Sequence, residues 1–413
     1  MRVALFLPRN SRVQYRLDVP ISLAVLARRL QDAGIEAQAY DLDGLGADEG
    51  YAVAAALDCD AVGISAMITH RQGARWLIKA LRGVRPNIYI CCGGPDPTVA
   101  PELYLEMGAD CVVVGEADGN VAEVFRNAPV GIVPGVPGEI GGRPLWERHY
   151  PKPWEGGNHP WPLALPEAIA MFSRGCPYRC TFCANPYKGR KPRHRDVDDC
   201  VDELEYLWDH GVRGLFLYDD AIVSHTELEL LVNVLRRIPR FRVRAQGRCN
   251  LKPEDYVRLA EAAAYGLRRV MWGVESFQPK VLEGLGKDLT PSQVFYTLAM
   301  AREVGLENYI FMMTGCPLQG VRETRDDIET LRDLVKGGLV QRAQVMPLTL
   351  LPGTEMTARA KAEGWYHEGD PLQYQVVAGT PWITKGDLAE LTAEMRAVGR
   401  AEEVEFGCEK QSR

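Results

Sequence analysis

Short apolar runs alternate with helix-patterned stretches from the start of the chain. Val3 to Leu7, Ile35 to Tyr40, Ala61 to Ser65, Ile88 to Cys92 and Cys111 to Val114 each predict a strand, most of them followed at once by Gly, Asp or Pro. Between them Leu23, Leu26, Ala27 and Leu30, then Ala74, Leu77, Ile78 and Leu81, recur at helical spacing. Such alternation predicts a parallel sheet with right-handed crossovers, whose ligands bind outside the carboxyl ends of the strands. A second series follows: Ala168 to Ser173, Gly214 to Tyr218, Arg242 to Gln246, Arg269 to Gly273, Tyr309 to Thr314 and Ala343 to Leu348. Six βα units in about 190 residues predict an incomplete parallel barrel, because a closed eight-fold one takes about 250.

The expected fold class is therefore α/β: a flavodoxin/Rossmann-like domain over residues 1–130, then a partial (β/α)6 barrel over 167–360. Residues 131–166 are crowded with Pro and Gly, which suppress helix and ladder, and predict a connection that Trp146, Trp154 and Trp161 pin to a domain surface. Residues 361–413 hold one plausible helix, Lys385 to Glu402, expected as a cover over the barrel mouth.

Composition narrows the class. The 413 residues carry a net charge of −7, which argues against a nucleic-acid binder, and 46% hydrophobic with 25% charged residues is ordinary for a globular protein. The N-terminal stretch lacks the form of a secretory signal and no run is long and apolar enough to span a bilayer, so the expectation is a cytoplasmic protein without membrane contact. Eleven cysteines are too few for a disulfide scaffold of this length, and most are expected to be reduced and buried.

Three cysteines stand apart. Ser-Arg-Gly-Cys176-Pro-Tyr-Arg-Cys180-Thr-Phe-Cys183 places three thiols within eight positions of a polar loop after the first barrel strand. Soft thiolate ligands favour zinc or iron–sulfur. A structural zinc site wants four protein ligands, and no natural fourth is near: His194 lies eleven residues on and Cys200 falls in a helical pattern. A cubane cluster held by three cysteines leaves one iron open for a substrate or cofactor.

The segment resembles the CxxxCxΦC signature of the radical S-adenosylmethionine (SAM) superfamily, with Phe182 in the aromatic place. The resemblance implies a [4Fe–4S] cluster on Cys176, Cys180 and Cys183 whose open iron is chelated by the methionine end of SAM, and reductive cleavage to a 5′-deoxyadenosyl radical. It also implies SAM contacts from Phe182, from Asp219 and Asp220 after the second strand, from Glu275 and Ser276 in a GxES-like pattern after the fourth, and from Leu350 in the PLTLLPG segment.

With that barrel behind it, the first domain resembles the cobalamin-binding subgroup. Val62 to Ser65 (VGIS), Cys92 to Thr98 (CGGPDPT) and Val113 to Asn120 (VVGEADGN) stand where a typical chain reads GIS, GGPHxT and GEGE. The likeness implies cobalamin contacts from Ser65, Met67, Thr69, His70, Gly93, Gly94, Pro95, Thr98, Gly115 and Glu116. Asp96 stands where His is common, Ala117-Asp118 replaces Gly-Glu, and no DxHxxG segment supplies a histidine lower ligand. His70 is a candidate for the cobalt's lower face, its other reading being a solvated or helix-capping residue; Met67 or Thr69 would equally cover that face without bonding.

Three functions stay open at this level. The resemblance implies a cobalamin-dependent radical SAM C-methyltransferase acting on an unactivated carbon of a small natural-product intermediate, with an external flavodoxin- or ferredoxin-type electron donor. The second is a radical SAM enzyme of another outcome, such as deoxygenation, rearrangement, cyclisation or epimerisation, that keeps a degenerate cobalamin domain. The third is a non-enzymatic metal protein whose first domain binds a partner.

Overall fold

Strands buried on both faces read as nearly unbroken apolar runs, and the first sheet is built from such strands. In the computed structural model, which describes residues 1–10, 21–150, 152, 161–184, 191–222, 225–367, 369 and 375–400, this sheet comprises β1 (Arg2–Leu7), β2 (Glu36–Asp41), β3 (Ala61–Ser65), β4 (Tyr89–Gly93), β5 (Cys111–Val114), β6 (Gly131–Pro134) and β7 (His149–Tyr150). All pairings are parallel and the order is β6-β5-β4-β3-β1-β2-β7. Val3, Leu5 and Leu7 pack towards the helices Ile21–Asp32 and Val121–Asn127, while Ala4 and Phe6 pack towards Glu49–Ala56 and Arg71–Val84. The strand order reverses direction at β1 and β3, so the ligand crevice of this sheet lies at the carboxyl ends there.

The five strands expected in the first domain are present, each within a residue or two of the expected limits. The connecting stretch differs from expectation: β6 and β7 come from it and add one strand to each edge of the sheet. An edge strand leaves one row of backbone groups unpaired, which is why β6 tolerates Pro134. Trp146 does fasten the connection. It is wholly buried and its indole N–H donates to Glu203 Oε1 at 3.1 Å on the helix Val197–Asp209, where Glu203 also meets Arg195. Trp161 is exposed and stacked under the Arg342 guanidinium, 3.1 Å from the ring centroid. Trp154 lies outside the described residues.

The second sheet is an open, parallel, six-stranded barrel of β8 (Glu167–Ala170), β11 (Gly214–Ile222), β12 (Arg242–Gly247), β13 (Leu267–Glu275), β14 (Glu307–Thr314) and β15 (Arg342–Pro347). Between β8 and β11 lie the two-residue strands β9 (Ser173–Arg174) and β10 (Arg193–His194); β16 (Thr349–Leu350) and β17 (Gln375–Val376) form a separate ribbon. Tyr309 and Phe311 of β14 join Ile169, Phe216 and Met271 in an inner cluster, while Ile310 and Met312 join the larger core beneath the helices.

The C-terminal helix, Lys385–Arg400, corrects one expectation. It packs beside β15 and the helix Val321–Lys336, with Arg396 Nε donating to the Val345 carbonyl at 3.0 Å, so it covers the open edge of the sheet and not the barrel mouth. Residues 401 and 402 fall outside the described part.

Trp146→Ala is expected to lower unfolding free energy by about 3–5 kcal/mol, the range for removing a buried aromatic. Urea denaturation checks this, with Trp161→Ala, at an exposed ring, expected to change stability far less.

Candidate functional site

The cysteine loop leaves the barrel through β9 and returns through β10, which pair antiparallel, Arg174 opposite Arg193 and Ser173 opposite His194. Asp219 accepts hydrogen bonds from the Phe172 backbone N–H at 2.7 Å and Ser173 Oγ at 2.6 Å, and Asp220 accepts from the Gly175 N–H at 2.8 Å. Burial pushes the Asp219 carboxyl up to about 6. Gly175 has φ +99, a conformation open to glycine, and turns the chain from the stem into the loop. The expected SAM contact of Asp219 is therefore corrected: its buried carboxylate holds the root of the cysteine loop, because buried N–H and O–H donors there need acceptors, and Asp220 joins it through the Gly175 N–H.

The loop is fastened at three further points. Thr181 N–H donates to the Leu285 carbonyl and the Met356 N–H to the Thr181 carbonyl, each at 2.9 Å. The third is electrostatic: Arg174 pairs with Asp118 and lies 3.8 Å from Glu116, while Arg193 pairs with Glu116 and donates to the Gly138 carbonyl at 2.8 Å. Glu116, expected against cobalamin, is thus part of the junction between the two sheets.

Cys176, Cys180 and Cys183 stand at intermediate exposure on this loop. Among the described residues no group of three or more His, Cys, Asp or Glu side chains is disposed to hold a metal ion. Burial pushes the Cys176 thiol up, opposed by the Tyr178 backbone N–H and the Arg248 guanidinium. Arg248 donates to Cys180 Sγ at 3.1 Å. The donor set suits an iron–sulfur cluster.

On the neighbouring strand ends, Glu275 has φ +70, is nearly buried, and accepts from Lys287 Nζ at 2.8 Å. A Cβ on Gly273 would come 2.8 Å from Lys287 Nζ and 3.1 Å from Glu275 Oε1, so glycine there makes room for the ion pair. Phe182 is half-buried against the core, 5.9 Å from Lys287 Nζ measured at its ring centroid. Ser276 is corrected: its hydroxyl is wholly buried and donates to Asp327 Oδ2 at 2.7 Å, in a network with the Phe277 N–H and Gln319. Leu350 is likewise a core side chain, buried in the ribbon of β16 and β17.

In the first sheet the crevice is open at some glycines and closed at others. A Cβ on Gly93 would find only the Val113 carbonyl oxygen, at 3.9 Å, and one on Gly115 nothing within 4 Å. Gly94, at φ +99, is packed against Ala66 and Ser65, where a Cβ would come 3.0 Å from the Ala66 carbonyl oxygen and Ser65 Oγ. The open backbone at Gly93 and Gly115 is a cradle into which a flat or extended group fits. Thr98 ties the crevice wall together, its hydroxyl donating to the Gly94 carbonyl at 2.8 Å and accepting from the Gly115 N–H at 3.0 Å. His70 is corrected. It is 3% exposed, its Nδ1 accepts from the Met67 backbone N–H at 3.3 Å, and burial lowers its pKa to about 4. It caps the turn Ile68–His70, with Thr69 Oγ1 3.5 Å from the same nitrogen, and Met67 alone of the three stands well exposed. Pro95 opens the short helix Pro95–Val99 at the crevice rim.

Arg248 and Lys287 were missing from the expected set. Arg248 had a signal, a charged residue between Gly247 and Cys249 at the carboxyl end of a barrel strand; Lys287, in a Gly-Leu-Gly-Lys loop, had none.

Comparison with known proteins agrees with this geometry. Residues 171–335 match the Radical SAM superfamily and residues 17–125 the B12 binding domain. An uncharacterized methyltransferase of Pyrococcus horikoshii is 25% identical over 86% of this chain and 82% of its own, and the cytidylyl-2-hydroxyethylphosphonate methyltransferase of Streptomyces wedmorensis 24% identical over 92% and 85%. In fold, the radical SAM methyltransferase TsrM of Kitasatospora setae, solved with cobalamin and a [4Fe–4S] cluster, superposes with a TM-score of 0.71 at 19% identity over 96% of this chain and 81% of that one. The cobalamin-dependent radical enzyme OxsB superposes at 0.73, with 14% identity over 95% and 66%. No helix among the described residues is long and apolar enough to cross a membrane. A B12 binding domain followed by a radical SAM domain, with the cysteine loop fastened between them, makes the chain a radical SAM enzyme, a member of the radical SAM superfamily in its cobalamin-binding group.

Proposed function

We propose that this enzyme is a cobalamin-dependent methyltransferase that places a methyl group on an unactivated carbon of a small organic substrate, a natural-product intermediate. The observation that carries the reading is the junction: Glu116 and Asp118, directly beyond the open crevice at Gly115, pair with Arg174 and Arg193 at the root of the cysteine loop. On this reading the two cofactor sites would adjoin through one set of charges. The names of the relatives, methyltransferases of a phosphonate nucleotide and of tryptophan among them, support the same class.

When bound, the cluster with SAM supplies one-electron chemistry and cobalamin a transferable methyl group. Cys176, Cys180 and Cys183 would hold the cluster, leaving one iron for SAM. Glu275, one oxygen already neutralised by Lys287, would offer its other oxygen to ribose hydroxyls, and Phe182 would pack beside them. Gly93, Gly115, Ser65 and Pro95 would border the corrinoid, and Met67 would cover its lower face without a cobalt bond. The electron would come from an external flavodoxin- or ferredoxin-type protein. Anaerobic purification with cobalamin supplied, followed by product masses from deuterated SAM, tests the assignment. A cluster without corrinoid, and no labelled methyl in the product, would favour a radical outcome other than methylation.

Cys180→Ala should lose most of its iron after anaerobic reconstitution, whereas Cys200→Ala, at a buried core thiol, should keep it; iron and sulfide analysis reads both. Gly93→Leu should fill the open crevice and abolish corrinoid absorbance while the cluster and 5′-deoxyadenosine formation persist. Gly94→Leu, forced into φ +99 against Ala66, should instead lower the melting temperature and depress both together.

A further inference from the structure

Arg248 is 5% exposed, yet its polar partners among the described residues are a sulfur and a carbonyl: Cys180 Sγ at 3.1 Å and the Lys287 backbone oxygen. Its Nε is buried and meets no acceptor among those residues. Glu275, an acid of the same strand ends, pairs with Lys287, and no carboxylate among the described residues forms an ion pair with Arg248. A buried guanidinium without a carboxylate is costly unless another anion stands beside it. The side chain is nevertheless held in place, its Cζ 3.7 Å from the centroid of the Tyr178 ring, whose hydroxyl accepts from Asn250 at 2.8 Å. Three thiolates carrying a cluster are an anion of that kind, and they lie on the same loop as Tyr178.

We propose that Arg248 is a positioning residue for the cluster's charge: its guanidinium is the counter-ion of the Cys180 thiolate and raises the cluster's reduction potential. The inference rests on the assignment of the cluster to Cys176, Cys180 and Cys183. Reduction adds one electron, from the external donor, to a centre already negative through its three thiolates, and no proton moves. A fixed positive charge and an N–H···S bond both favour the reduced form, since potentials of such clusters follow net charge and hydrogen bonds to sulfur. The competing partner for Arg248 is the carboxylate of SAM, which would leave the SAM-free cluster unaffected by its removal.

The test is a redox titration of the anaerobically reconstituted protein without SAM, using titanium(III) citrate and electron paramagnetic resonance. Arg248→Gln keeps an N–H donor and removes the charge. With iron content equal to wild type, its reduced-to-oxidised ratio at a fixed potential should fall about tenfold, which is about 59 mV for a one-electron couple, while Arg248→Lys should recover most of the difference. A wild-type titration curve for Arg248→Gln, with or without a loss of SAM affinity, overturns the proposal. If Arg248→Gln holds no iron, the Fe–S stretching bands in water and deuterium oxide decide: an exchange shift in wild type that changes in Arg248→Lys supports the N–H···S bond, and identical spectra overturn it. Failure of the underlying assignment looks different, because Cys180→Ala would then retain a full cluster.

Discussion

A two-residue antiparallel pairing, Ser173 and Arg174 against His194 and Arg193, keeps the ends of the cysteine loop together, and the site depends on it. So short a ladder supplies little by itself. It stands because acids from two domains hold it: Asp219 and Asp220 from the barrel take its N–H and hydroxyl donors, and Glu116 and Asp118 from the first sheet take its arginines. The Glu116 and Asp118 side chains are 7% and 9% exposed, so their attraction to arginine is far less screened than that of a surface pair. The geometry of the loop is therefore a property of both domains at once.

Local pattern carried the architecture further than it carried the roles of the acids. Strands with two buried faces, and cysteines spaced on a polar loop, announce themselves over a few residues. Asp219, Ser276 and Thr98 do not: each lies in or shortly after the last residues of a strand, where ligand contacts are expected, and each is engaged by a neighbour 17 to 51 positions away. Whether a polar side chain at a strand end faces a ligand or a donor depends on packing that no short window contains. The same holds for Lys287, whose acid partner lies twelve positions back, across the short helix Pro279–Gly284.

The departure at Asp96 has a physical account. Asp96 is buried, pairs with Arg71 through Nε at 2.7 Å, and accepts from the Tyr104 hydroxyl at 2.7 Å. A histidine at this position would leave Arg71 buried without its acid. Beside it, burial keeps His70 neutral, so this corner of the first domain is closed by its own charge pairing, and the backbone at Gly93 and Gly115 is what it leaves accessible.

An open barrel has two edges, and the one at β15 is a row of backbone groups on which a strand of another copy could assemble. The helix Lys385–Arg400 lies along it, with Arg396 occupying the Val345 carbonyl and Gly399 allowing approach so close that a Cβ would stand 2.8 Å from the Ala343 oxygen. At the ends of the first sheet the same hazard is met by brevity, with four residues in β6 and two in β7. The helix Lys385–Arg400 thus covers backbone groups that the β15 edge would otherwise leave exposed, a packing role separate from the chemistry at the strand ends.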